Sequence, residues 1–327
     1  MNSETDTASE ITLSRNGFSS MAPAVLFTGA AAWVIFLYMF TFYPAYPTTP
    51  GLSLAGWTWG ACNSLNGFLH GRFVPFAFVV MAVIAWKNNR GEKLSPSMWG
   101  ILSLSLGLLF YLVSIRTIQP RLALIGVPFV IIGLVHFSFG LRFAKAIIFP
   151  AFFFWFTIPV PGLEAALTGN LQTLITKLCY QTGMFFGMDL TRSGSTITIG
   201  GSDLEIAEGC SGIRSLMALV MIAAVYANYT QKELWKKAVL FASAMPLAIV
   251  GNFGRIFTIL VLTQLGMEEF AKQTYHDWAG LLLFFPITLS GLYMGDYLLN
   301  LKTRRKKKVK RTIKAKSDPS KTPTADQ

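Results

Sequence analysis

Three side chains in this sequence are of types that could together carry out acyl transfer: Cys210, Arg255 and His276. A cysteine attacks a carbonyl as the thiolate, at a rate set by its local pKa. Cys210 lies in Glu208-Gly209-Cys210-Ser211-Gly212-Ile213-Arg214, where a polar segment gives way to an apolar one. The start of a helix lowers a thiol pKa through its exposed N–H groups and dipole. Ser211 and Gly212 are small enough to leave the sulfur accessible, and Arg214 follows one helical turn on. The competing reading is a passive buried cysteine, the commoner fate of a membrane thiol.

Arg255 interrupts an apolar run, and insertion scales put a charge at a helix centre at about 2.5–3.5 kcal/mol. Such a residue faces the bundle interior or a wet cavity, where its fork could hold a carboxylate or a developing oxyanion. Alternatively it snorkels to the interface. Asn252 lies one turn earlier on the same face and could add a hydrogen bond. His276, in Tyr275-His276-Asp277-Trp278, could deprotonate the thiol or protonate a leaving amine, or could simply sit at headgroup level. His70, flanked closely by glycines, suits a tight turn and a supporting role, and His136 a structural one.

Composition sets the frame for these residues. Of 327 residues 53% are hydrophobic and only 13% charged, against about 25% charged in soluble domains. With several apolar runs near 20 residues, the pattern is that of an all-α polytopic membrane protein. Residues 302–327 hold eleven Lys or Arg and two Asp, a net of +9, leaving +3 of the chain's +12 elsewhere. A basic tail after a final span is an orientation signal attracted to anionic lipid, so the charge implies no nucleic-acid partner. Three cysteines (Cys62, Cys179, Cys210) and three histidines are too few for a disulfide framework or a metal site. Neither HExxH nor GxSxG occurs. No cofactor is expected.

Eight spans are expected, near residues 22–42, 73–86, 98–115, 122–139, 146–158, 211–229, 238–265 and 278–301. Residues 1–21 read as a cytoplasmic arm without the features of a cleaved signal peptide, 22–301 as the membrane domain and 302–327 as a basic cytoplasmic tail. Between the fifth and sixth spans, leucines at helical spacing over 163–186, interrupted by Glu164, Asn170, Gln172 and Lys177, predict an amphipathic helix at the interface. Thr196–Ile199 and residues 204–206 around Gly200-Gly201 predict a small β-hairpin that delivers the chain to Cys210.

Lys and Arg collect in cytoplasmic loops. The basic clusters at 87–93, 142–145, 232–237 and 302–316 share one side if both termini are inside, with Arg116 and Arg121 as exceptions. Cys210 and His276 then stand at outer mouths of the sixth and eighth spans. Arg255 is 17 residues along an outward-running seventh span, roughly 25 Å from its start in a core roughly 30 Å thick. Counting alone therefore brings the three to one leaflet.

Cys210-Ser211-Gly212-Ile213-Arg214, Asn252-Phe253-Gly254-Arg255 and His276 before Gly280 resemble the exosortase/archaeosortase family. His70-Gly71 with Val74-Pro75, and Pro159-Val160-Pro161, resemble that family's outer-loop landmarks, and the likeness covers about residues 25–300. The resemblance implies a membrane cysteine peptidase or transpeptidase of the bacterial inner membrane, with its site on the periplasmic face. Its partners would be exported proteins ending in a Pro-Glu-Pro-type motif, a transmembrane helix and a basic end. It further implies that Cys210 attacks the scissile carbonyl, Arg255 stabilises the oxyanion and His276 protonates the leaving amine. The thioester would pass to water or an acceptor amine, with Arg214, Asn252, His70 and Ser211 around the site. Family members with a soluble C-terminal domain are linked to exopolysaccharide assembly; this chain has a basic tail there instead.

A transporter or export subunit is the alternative, with Arg255 binding an anionic solute and a seventh span broken around Pro246 and Gly251. A prenyl-protein-type protease, suggested by Glu268-Glu269, would need an arginine where Gln273 stands.

Overall fold

The computed structural model describes residues 33–40, 53–63, 68–160, 163–205, 213–271 and 284–316, together with positions 29, 275 and 278. Contacts divide the chain into two units, residues 1–160 and 161–327. The described part is predominantly helical, with one three-stranded antiparallel sheet.

In the first unit, α1 covers residues 33–40 and α2 Leu54–Ala61. A 3-10 turn, Leu69–Phe73, runs into α3, Val74–Asn89, where Pro75 occupies the first turn and costs no hydrogen bond. Next come α4 (Gly100–Thr117), α5 (Pro120–Phe139), α6 (Leu141–Phe153) and a 3-10 turn, Phe154–Thr157. Small residues bring α4 and α5 together. A Cβ on Gly100 or Gly133 would stand 2.4 Å from backbone of the facing helix, and Gly107 and Gly126 are equally crowded. Without a hydrophobic drive between helices in lipid, such close backbone packing is what holds them. Ser103 donates to the Phe129 carbonyl at 2.9 Å across the same seam. The turn between α5 and α6 rests on Gly140, at φ +96°, where a Cβ would meet the Ser95 carbonyl oxygen at 2.3 Å.

Arg116 and Arg121 break the charge pattern in the sequence, and the fold shows how Arg121 is accommodated. Its Nε donates to the Pro159 carbonyl at 2.8 Å, and its guanidinium lies 5.5 Å from the centre of the Trp57 ring. The charge is held by local backbone and an aromatic face.

In the second unit, α7 spans Leu163–Phe185 as one helix, as the leucine spacing predicts. Three strands follow: β1 (Leu190–Ser193), β2 (Thr196–Ile199) and β3 (Ser202–Glu205). The hairpin around Gly200-Gly201 is present, with Ile199 opposite Ser202 and both glycines at positive φ, as a tight two-residue turn requires. The predicted hairpin is one strand short. β1 pairs with the other edge of β2 through a second two-residue turn at Gly194-Ser195.

After the sheet come α8 (Ile213–Thr230), α9 (Leu234–Ala242), α10 (Ala244–Gln264), the single turn α11 (Glu268–Phe270) and α12 (Phe285–Lys316). The expected seventh span is present as one long apolar stretch, Leu234–Gln264, in which a single residue with helical φ and ψ, Ser243, joins α9 to α10. Pro246 falls in the first turn of α10, where proline is tolerated, and α10 is continuous through Gly251. Gly251 serves packing: a Cβ there would lie 2.8 Å from the side chains of Phe284 and Thr288.

Among the described residues, four helical stretches are long and apolar enough to cross a membrane: Leu69–Asn89, Gly100–Thr117, Pro120–Phe139 and Leu234–Gln264. Leu216–Thr230 is apolar but shorter. The fifth apolar run begins and ends about five residues earlier than its hydropathy suggests, because Gly140 sets its start and the 3-10 turn its end.

Candidate active site

α10 is the element on which the second unit is assembled; it packs on α7, α8, α9, α11, α12 and β2. One face supports the sheet. Ile197 and Ile199 of β2 and Leu204 of β3 are buried with Ile256, Ile259 and Leu260 of α10 and Ile175 of α7. The alternation of Thr196–Ile199 explains this placement, since period two sends both isoleucines to the same face. A neighbouring stretch of α10 packs Ala244 and Ala248 against Leu216 and Leu219 of α8 and Phe284 and Leu292.

Asn252 and Arg255 are three residues apart on α10, on adjoining positions of one face. Asn252 is 2% exposed and Arg255 half-buried. The Asn252 Oδ1 and Arg255 Nε atoms are both shut off from solvent. The arginine's Nε is thus inside the unit, while part of the side chain remains accessible. One turn further, Thr258 donates to the carbonyls of Gly254 and Arg255 at 2.9 and 2.8 Å. The Tyr275 hydroxyl donates to Thr258 Oγ1 at 2.9 Å. The Tyr275 ring packs at the edge of the α10–sheet core, 6.0 Å from Phe270. The residue immediately before His276 is thereby fixed beside the turn of α10 that begins at Arg255.

The sheet is held at its other end as well. Ser202, at the β2–β3 turn, donates to the Glu268 carboxylate. Glu268, one of the two adjacent glutamates that suggested a prenyl-protein-type protease, is engaged in holding this hairpin. β3 ends at Glu205, five residues before Cys210, and α8 begins at Ile213, three residues after it.

Cys210, Ser211 and His276 lie outside the described residues, as does the Arg214 side chain; Arg214 itself is the second residue of α8. Of the candidates, the structure puts Asn252 and Arg255 on one face of α10 and ties Tyr275, the neighbour of His276, to Thr258, three residues after Arg255. His70 belongs to the first unit, in the 3-10 turn Leu69–Phe73, its ring 5.6 Å from Phe68. The tight turn expected from its glycine neighbours is there. A Cβ on Gly71 would stand 2.5 Å from Cys62 Sγ.

The other two cysteines are free and buried. Burial pushes the Cys62 thiol up to about 11, with nearby Arg72 opposing, and Cys179 up to about 12. Desolvation disfavours the thiolate, so burial works against either cysteine acting as a nucleophile at neutral pH. Among the described residues no cluster of three or more His, Cys, Asp or Glu could hold a metal ion.

Tyr275, Thr258 and Glu268 are the residues that sequence reasoning missed in these roles. The available signals were adjacency of Tyr275 to His276 and the one-turn spacing of Thr258 from Arg255.

No curated protein and no solved structure matches the chain. Residues 59–293 do match the family model of the transmembrane exosortases. That match spans most of the sequence and takes in His70, Cys210, Arg214, Asn252, Arg255 and His276. By this match, the chain belongs to the transmembrane exosortase family.

Proposed function

We propose that this exosortase is a membrane cysteine transpeptidase or peptidase that cleaves a C-terminal Pro-Glu-Pro-type sorting signal from exported proteins. The family is one of transmembrane peptidases and transpeptidases, and the roles assigned are those of three residues. The Cys210 thiolate attacks the scissile carbonyl, and the tetrahedral oxyanion is held by the Arg255 fork. His276 gives its proton to the leaving amine as the C–N bond breaks, leaving a thioester on Cys210. Water or an acceptor amine then attacks the thioester, and the cysteine thiol is restored. Arg214 orients the substrate, and Asn252 steadies the arginine.

The observation that carries the reading is the Tyr275–Thr258 hydrogen bond, which ties the chain entering His276 to the helix bearing Arg255. The buried, high-pKa state of Cys62 and Cys179 supports Cys210 as the working thiol. In this reading the chain crosses the bacterial inner membrane eight times with both ends cytoplasmic and the site at the periplasmic face. Cys210→Ala is expected to insert normally and process no substrate; normal processing by that variant would end the reading.

A further inference from the structure

One face of the first unit is a groove of about 720 Å³ between α3, α5 and α6, with Ile35 of α1 also at its wall. Val79, Val83 and Trp86 of α3 line it with Val135 of α5 and Phe143 and Ile147 of α6. Trp86 closes one end, its ring 5.3 Å from Phe139 and 5.2 Å from Phe143. Beside it stand two cations that also line the groove, Lys87 and Arg90. They are three residues apart and therefore neighbours on the helix surface. The nearby Arg142 is paired with Glu92. Among the described residues, the Lys87 and Arg90 side chains have neither an ion pair nor a hydrogen bond.

We infer that this groove is a binding site for an anionic glycerophospholipid, with an acyl chain along the α3 wall and the phosphate on Lys87 and Arg90. Charge complementarity argues for the anion, since two adjacent cations without an ion pair put an unneutralised positive patch at the end of an apolar groove. Length argues for a lipid rather than a second protein helix. Along α3 the lining runs from Phe78 to Arg90, roughly 18 Å at 1.5 Å per residue. That is little more than half of a hydrocarbon core roughly 30 Å thick. A lipid tail fills one leaflet, whereas a spanning helix would need a groove through both. Basic sites between spans recognise anionic head groups by this combination of charge and apolar lining.

The test uses the purified full chain, with phosphatidylglycerol and phosphatidylcholine of identical acyl chains as probes and retained lipid counted by native mass spectrometry. Wild type should retain phosphatidylglycerol in preference, and the preference should fall as salt is raised. Lys87→Gln and Arg90→Gln should each lower it about five-fold. Val83→Trp, which fills the groove and leaves both cations, should reduce retention of both lipids. Equal retention of the two lipids by wild type would overturn the proposal, as would a preference unmoved by the double Lys87→Gln/Arg90→Gln variant. So would inorganic phosphate competing as well as the lipid does, or a photo-crosslinker at Val83 capturing a protein helix instead of lipid.

Discussion

The Tyr275 hydroxyl donates to Thr258 Oγ1, which itself donates to the carbonyls of Gly254 and Arg255. A two-step relay of hydroxyls thus links the residue before His276 to the backbone of Arg255. Tyr275→Phe removes one donor and keeps the ring packing. One hydrogen bond contributes about 0.5–1.5 kcal/mol net, so kcat should fall up to roughly ten-fold with KM little changed. Thr258→Val should do the same, and the double variant should be no worse than the poorer single one. Steady-state kinetics on a sorting-signal peptide would show it; additive losses would mean that the two residues act separately.

Arg255→Lys distinguishes a fork from a charge. Lysine snorkels as well as arginine, yet lacks two parallel donors. The variant should insert and fold but lose about 10²–10³ in rate, as for an oxyanion donor removed. His276→Ala should lose a comparable amount, and the double variant far less than the product of the two. Near-normal turnover of Arg255→Lys beside a dead Cys210→Ala would make the arginine structural.

Thiol labelling should separate the three cysteines by pH. Cys62 and Cys179 sit at about 11 and 12 against an ordinary 9.0. The folded state therefore holds their protons more tightly than the unfolded chain. Their contribution to stability is intact below pH 9.0 and drains away as pH rises through 11 and 12. At neutral pH an alkylating reagent should modify Cys210 first in the native protein. Cys62→Ser and Cys179→Ser should keep processing activity, and rapid native labelling of Cys62 in Cys210→Ala would contradict its burial.

Reporter fusions test the orientation on which the proposed site depends. Fusions after Asn89 and Lys237 should report inside, and a fusion after Gly201 outside. An inside signal at Gly201 would put the segment leading to Cys210 on the wrong face.

Gly140→Ala should destabilise the first unit. A non-glycine residue held at strained positive φ costs on the order of 1–3 kcal/mol, and the new Cβ would also meet the Ser95 carbonyl oxygen. The melting temperature of the purified protein measures it, and a variant that melts with wild type would show that the turn can rearrange.

How far the sequence could be read depended on whether the deciding contact was local. Gly200-Gly201 between alternating residues announced one hairpin, because turn chemistry and strand period both lie in eight residues. β1 was not legible in the same way: of Leu190–Ser193 only Leu190 is buried, so no alternation shows. The one-residue interruption at Ser243 left no sequence signal, because Ser243 keeps helical φ and ψ and Ala242-Ser243-Ala244 holds no glycine or proline. Arg121 looked misplaced by charge counting because its partners, Pro159 and Trp57, are distant in sequence. For the site, the types and spacing of Asn252 and Arg255 indicated an inward face. The link from Tyr275 to Thr258 depends on tertiary placement and left no periodic trace.

The seam of glycines between α4 and α5 also bears on how self-contained this helix pair is. Only Ile118 and Gln119 separate the two helices, and Ile118 turns the chain at φ 55°. A connection that short leaves the two helices little choice but to lie side by side, antiparallel. The two helices are therefore neighbours along the chain as well as in space, and the contacts at Gly100, Gly107, Gly126 and Gly133 can close without any other part of the protein. A bulky residue at any of these four positions would therefore be felt by the helix hairpin alone, whatever the rest of the fold does.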